Sequence, residues 1–375
     1  MYILKKRLII FVLSFVIILN FLAGCSKQET KDDIPDESTP ELTAPEHTAP
    51  DEQLVSDEPE WQWTKDSPEN QGLDSTALPE IHSTFDSFEL LTSVIIKNGY
   101  IVDEYYKDGY DETSEFILNS ASKSVTSALI GIAIDKCFIE GVDLHLSEFL
   151  PQILEFEDDR WQQITIRHLL TNTSGIGSTD NWRWNEWRNS DNWLEYILAL
   201  PMVYNPGAEL NYSTGNTHLL CYILQQATGM SAYEFGKEYL FDLVGMDSVT
   251  CQADAQGISD GGNGFSMNVY DMARFGQLFL QQGVWQGQQI ISKEWITEST
   301  TMHIKRSSDG AEYGYQWWVR TFGEQGYEAY YARGHAGQYI FVVPQIELVV
   351  VFTSNYTGDI GIYMQLVNDI VNACN

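Results

Sequence analysis

The sequence predicts an α/β protein of the α+β kind, with an antiparallel sheet built from both chain ends, flanked by helices, and a mainly helical region inserted between its halves. Three observations predict it. A hairpin signature surrounds residue 98, three short strand-like runs joined by tight turns lie between 328 and 353, and the stretch between them carries helical apolar spacing. With 375 residues and 43% apolar side chains, the chain has the material for a sizeable core.

The first 60 residues stand apart. Lys5, Lys6 and Arg7 precede an apolar run from Leu8 to Leu22, interrupted by Ser14 and Asn20, which is a signal-peptide pattern. The run is short of the roughly 20 residues a membrane-spanning helix needs, so cleavage is expected rather than anchoring. It ends in Leu22-Ala23-Gly24-Cys25, which resembles the lipobox of bacterial lipoproteins. That resemblance implies a signal peptide over 1–24, lipidation of Cys25, and tethering to the outer face of the bacterial cytoplasmic membrane. Residues 25–60 then hold Pro35, Pro40, Pro45, Pro50 and Pro59 among Thr, Glu and Asp with few large apolar residues, so they read as an acidic linker. The folded domain is expected over 61–375.

Within that domain, Leu91 to Lys97 and Tyr100 to Tyr106 flank Asn98-Gly99, the pair that best tolerates the positive φ angles of a two-residue turn. Helical spacing follows over Asn119 to Asp135, Ile166 to Leu170, Thr217 to Thr228, Tyr233 to Leu243 and Val269 to Gln281. Glu328 to Arg333, Gln338 to Val343 and Glu347 to Thr353 then read as a meander. Ile362, Leu366 and Ile370 mark a closing helix over Ile360 to Ala373. A cleft is expected where sheet and helical region meet.

The net charge is −32, and about −25 of it belongs to residues 61–375, so there is no basic stripe for nucleic acid. Cys137, Cys221, Cys251 and Cys374 form an even set in an exported chain, which permits two disulfides in three pairings, none selected by spacing. Neither a CxxC pair nor HExxH is present, so a metal site has no support, and acyl transfer to a serine requires no organic cofactor. Nothing calls for a partner chain, and a monomer is the expectation.

The chemistry centres on Ser120-Ala121-Ser122-Lys123 at the start of the first long helix. A spacing of three places the serine oxygen and the lysine amine on one helix face. A serine hydroxyl is a weak nucleophile until a base takes its proton, and a lysine serves once its surroundings lower its pKa from about 10.4. Ser-x-x-Lys alone is too common to define an enzyme, and other segments must support it. No G-x-S-x-G occurs, which disfavours an α/β-hydrolase.

Supporting segments follow in order. SASKSVTSALIGIAID (120–135), ITIRHLLTNTSG (164–175), PGAELNYSTGNTHLL (206–220), GGNGFSMNVYDMARFGQLFL (261–280), YGYQWW (313–318) and GHAGQ (334–338) together resemble the class C β-lactamase and serine penicillin-binding-protein superfamily over about residues 65–375. The resemblance implies that Tyr212 passes protons to the leaving group beside Ser120 and Lys123. It also implies that His335, Gly337 and Gln338 line the opposite wall, with the backbone amides of Ser120 and Gln338 forming the oxyanion hole.

Two departures shift the expected substrate. His335 stands where most β-lactamases of the family carry Lys and is familiar in its DD-peptidases and esterases. Thr214 replaces the asparagine that commonly binds a β-lactam or peptide carbonyl, leaving one hydroxyl to donate. Together with Tyr315-Gln316-Trp317-Trp318, they are similar to the branch of esterases and 6-aminohexanoate-oligomer hydrolases. Small esters or amides are therefore the expected substrates; the alternatives are a β-lactamase or DD-peptidase and a catalytically idle cell-wall binding protein. The aromatic segment Trp182, Trp184, Trp187 and Trp193 fits either a substrate-facing wall or a packed insertion, while His168, His218 and His303 are expected to be structural.

Overall fold

The computed structural model describes residues 62–374, all within one compact unit, Pro59–Asn375. The expected signal peptide, Cys25 and the whole of the linker lie outside the described residues.

Asn98 and Gly99 both take positive φ, 53° and 82°, and close the first hairpin as their side chains allow. Its strands are β1 (Leu90–Lys97) and β2 (Tyr100–Tyr106). The inserted region contributes two small sheets, one of β3 (Glu115–Ile117), β4 (Thr250–Cys251) and β5 (Phe265–Asn268), the other of β6 (Val284–Trp285) and β7 (Gln288–Gln289). The main sheet is completed by β8 (Ile304–Lys305), β9 (Glu312–Tyr313), β10 (Trp318–Phe322), β11 (Tyr327–Gly334), β12 (Gln338–Val343) and β13 (Leu348–Ser354). Its order is β2-β1-β13-β12-β11-β10-β9-β8, antiparallel throughout, so the first hairpin pairs with the last strand of the chain.

The expected strands of both chain ends are present; β8, β9 and β10, which extend the edge beside the site, were not foreseen. The first two have two residues each, too few for a period-two pattern.

Both faces of the central strands are covered, which is why they read as near-continuous apolar runs. Val94, Ile96, Ile340, Val342, Val349 and Val351 face the helical region. Their neighbours Ile95, Phe341, Val343, Val350 and Phe352 face the other way, into a second core containing Ile81, Phe85, Leu366 and Ile370. Those residues come from α1 (Leu78–Asp86) and, at the far end of the chain, from the closing helix.

The inserted helices are α2 (Ser122–Asp135), α3 (Ile166–Leu170), α4 (Trp184–Arg188), α5 (Trp193–Leu198), α6 (Thr214–Thr228), α7 (Ala232–Gly236), α8 (Asp242–Val244), α9 (Val269–Leu280) and α10 (Lys293–Thr300), and α11 (Gly361–Asn372) closes the chain. Between α7 and α8 the backbone passes through a π-helical turn, Lys237–Phe241. Gly229, at φ 75°, ends α6 with its amide donating to the Gln225 carbonyl. The start of α6 differs from the expectation: it begins at Thr214, three residues before the periodic apolar pattern does.

Candidate active site

Ser120 sits in a 3₁₀ turn, Asn119–Ala121, that leads directly into α2. Asn119 turns the chain with φ 50° and donates its side-chain amide to the His335 carbonyl at 3.0 Å. That bond ties the turn carrying Ser120 to the turn between β11 and β12. Ser122, Ser124 and Thr126 of α2 are buried and satisfied by loops around the helix, whereas the buried Ser127 Oγ finds no partner among the described residues. Ser122 Oγ accepts the Phe265 amide at 3.2 Å, Ser124 Oγ donates to Gln316 O at 2.7 Å, and Thr126 Oγ1 donates to Gly261 O at 2.8 Å.

Lys123 is 1% exposed. Its Nζ lies 3.1 Å from Ser120 Oγ, 3.0 Å from Thr214 Oγ1 and 2.8 Å from Gly262 O, and 5.0 Å from the centre of the Tyr212 ring. Among the described residues no carboxylate stands within ion-pair distance of the amine. Neutral acceptors and an aromatic face thus compensate its loss of water. Gly262 can approach because it lacks a side chain: a Cβ there would lie 2.6 Å from Thr214 Cγ2.

The second box is held by Asn172, in the segment 164–175. Its Oδ1 accepts the Ser213 amide at 3.1 Å and Asn216 Nδ2 at 2.9 Å, and its backbone, at φ 56°, accepts the Asn211 amide. Tyr212 stacks on Trp318 with ring centres 5.8 Å apart and packs edge-on against Tyr313. Burial pushes the Tyr313 hydroxyl well above the ordinary phenol range, and the neighbouring Tyr212 adds to the effect.

Thr214 was expected to offer a donor to the substrate. Instead it is 1% exposed, and its hydroxyl donates to Asp180 Oδ1 at 2.9 Å while its amide donates to Asp180 Oδ2 at 2.6 Å. This carboxylate caps α6 from 34 residues upstream, which is why the helix starts earlier than its apolar pattern.

On the opposite wall, His335 is exposed, Ala336 and Gly337 take φ of 59° and 94°, and Gln338 opens β12. The Gln338 side chain points away from substrate chemistry, donating to Ser354 O at 2.6 Å.

Ser120, Asp180, Trp184, Tyr212, Arg333 and His335 share one cleft of about 930 Å³. The structure therefore brings Ser120, Lys123, Tyr212, His335 and Gly337 to one place and turns Thr214 inward. Asp180, Asn119 and the Gly262 carbonyl were missed. GGNG belonged to a resembling segment with no role assigned to it, and Asp180 belongs to no motif.

The aromatic segment divides between its two readings. Trp184 lines the cleft and Trp182 is 69% exposed, whereas Trp187 and Trp193 are buried with ring centres 4.9 Å apart. His218 packs against both rings with Nε2 3.1 Å from Asp254 Oδ2. His168 closes a capping box on α3 with Thr165, burial holding its imidazole below the usual pKa, and His303 stacks on Tyr315.

The permitted disulfides do not form: Cys137, Cys221, Cys251 and Cys374 are all free thiols. An even count allows pairing but does not bring the sulfurs to bonding distance.

A Ser-x-x-Lys pair at a helix start, a tyrosine over the lysine, and a tight turn facing the serine thus meet at one cleft. A family model described as Beta-lactamase matches residues 90–364, and the chain belongs to that family. It is 24% identical over 309 residues to the 6-aminohexanoate-dimer hydrolase of Paenarthrobacter ureafaciens, covering 75% of this chain and 76% of that protein. Two solved structures share the fold. EstCE1, a hydrolase with promiscuous acyltransferase activity, aligns with a TM-score of 0.66 at 17% identity, over 81% of this chain and all of the other. A family VIII carboxylesterase aligns with a TM-score of 0.66 at 14% identity, over 83% and 99%.

Proposed function

We propose that this protein is an exported, lipid-anchored serine hydrolase that cleaves ester or amide bonds through an acyl-enzyme on Ser120. The observation that carries the reading is the buried Lys123 amine 3.1 Å from Ser120 Oγ. Lys123 takes the hydroxyl proton as the serine oxygen bonds to the substrate carbonyl carbon. Base catalysis of this kind contributes about 10²–10⁴-fold. The backbone amides of Ser120 and Gln338 receive the oxyanion, and one such donor is worth roughly 10²–10³ in rate. Tyr212, beside the amine, passes a proton to the leaving alcohol or amine, and water then releases the acyl group.

Thr214 and His335 favour small esters or linear amides over β-lactams, and the name of the Paenarthrobacter relative makes 6-aminohexanoate dimers a substrate to try. Export and anchoring at the outer face of the cytoplasmic membrane rest on Leu22-Ala23-Gly24-Cys25.

A fluorescent fluorophosphonate tests the nucleophile: it should label the intact protein and spare Ser120→Ala, and equal labelling of both would remove Ser120 from the role. Turnover of nitrophenyl esters and 6-aminohexanoate dimers is expected to exceed that of a chromogenic cephalosporin or a D-Ala-D-Ala peptide. Cys25→Ala should release the protein from the membrane fraction.

A further inference from the structure

We propose that Asp180 sets the direction of the hydrogen-bond chain that makes Lys123 a base, acting through Thr214 as a positioning residue. The inference rests on the catalytic reading above and goes beyond it.

A neutral lysine amine has two N–H donors and one lone pair. Lys123 has three polar neighbours, at Gly262 O, Thr214 Oγ1 and Ser120 Oγ. To receive the Ser120 proton, the lone pair must face Ser120, so both N–H bonds must be accepted by the other two. Gly262 O can only accept. Thr214 is ambiguous, because a hydroxyl donates or accepts according to where its own proton goes. If that proton turned toward Lys123, it would occupy the lone pair and leave Ser120 without a base.

Asp180 removes the ambiguity. A carboxylate only accepts, and Oδ1 at 2.9 Å takes the Thr214 hydroxyl proton. Its other oxygen, on the Thr214 amide at 2.6 Å, fixes the carboxylate in register with the same residue. Thr214 Oγ1 then presents lone pairs to Lys123, and the chain runs one way: Ser120 to Lys123 to Thr214 to Asp180. When the Ser120 O–H bond breaks and its proton bonds to Lys123 Nζ, the resulting ammonium donates to the same neighbours without any other proton moving. The pairing is specific to a hydroxyl at 214, because an asparagine there would carry a built-in acceptor oxygen and need no such partner.

Asp180→Asn is the sharpest perturbation. The Thr214 amide requires an acceptor, so the asparagine oxygen takes that place and its NH₂ falls on Thr214 Oγ1, turning the threonine proton toward the lysine. In full-length protein, fluorophosphonate labelling of Ser120 should slow by about 10²–10⁴-fold, comparable in kind to losing the carboxylate behind a catalytic histidine. Thr214→Asn added to Asp180→Asn should restore labelling to within about tenfold of the starting protein, its carbonyl oxygen accepting from Lys123 unaided. Asp180→Ala is the second variant and should show the same loss and the same rescue. Labelling is measured across pH on protein whose fold is verified by tryptophan fluorescence, and the acid limb of the profile should move in the single variants and return in the doubles.

Unchanged labelling in Asp180→Asn, absence of rescue by Thr214→Asn, or failure of both single variants to fold would each overturn the proposal, the last by making Asp180 a structural cap alone. Failure of the catalytic reading looks different: Ser120→Ala would label as well as the intact protein.

Discussion

Replacing Gly337 by Ala tests whether the turn facing Ser120 is built for its backbone. At φ 94° an L side chain is strained whatever space it has, and the added Cβ would lie 2.0 Å from Tyr363 Oη, 2.5 Å from Cζ and 2.7 Å from Ser354 Cβ. Tyr363 cannot easily withdraw. It is 1% exposed and packs on Tyr339 with ring centres 4.7 Å apart. The left-handed conformation costs about 1–2 kcal/mol and overpacking about 1–3 kcal/mol, so a destabilisation of roughly 2–5 kcal/mol is expected. Relief must come from the turn itself, which moves the Gln338 amide that immediately follows. Urea unfolding followed by tryptophan fluorescence measures the first effect. Fluorophosphonate labelling below the unfolding transition measures the second, with a slowing of about 10²-fold expected for one displaced oxyanion donor. A loss under about 1 kcal/mol together with unchanged labelling would refute the reasoning, since neither the strain nor the displacement would then exist.

Other expectations follow from the same geometry. Asn119→Ala removes the 3.0 Å bond to the His335 carbonyl; it should cost about 1 kcal/mol of stability yet slow ester turnover roughly tenfold, as measured by parallel melting and kinetics. His82 Nε2 lies 2.9 Å from Asp103 Oδ2, and that hydrogen bond, against the opposing effect of burial, raises the imidazole pKa. A raised pKa gives stability that is full below the unfolded value near 6.5 and disappears as pH climbs through the folded value. Asp103→Asn should therefore cost about 0.5–1 kcal/mol more at pH 5.5 than at pH 8.5, in urea titrations at each pH. With four free thiols in the domain, reductant should leave its melting temperature unchanged. Native alkylation should reach the exposed Cys137 first and Cys221 last, the latter fully buried and pushed up to about 12 by desolvation.

Contacts local in sequence were legible before folding. Asn98-Gly99 announces a hairpin because the turn needs positive φ at adjacent residues, and the apolar runs around it announce strands. Ser120 and Lys123 share a face because a helix brings positions three apart together, and the order of the boxes placed Tyr212, His335 and Gly337 in the same cleft. The edge strands β8 and β9 were not legible, because two-residue strands are made by their neighbours. Nor were the free cysteines, since a count says nothing about where sulfurs meet.

The amino-acid sequence by itself determined the helix that carries Ser120 and Lys123, the two-ended sheet and the family. Only the tertiary structure decided how the lysine is held. Thr214 read as a substrate donor because its hydroxyl has a proton to give, and nothing near it in sequence claims that proton. Asp180, 34 residues away, claims it, and Gly262, 139 residues beyond Lys123, supplies the other acceptor. Hydrogen-bond direction depends on which groups converge in space, and such convergence leaves no periodic or local trace in the chain.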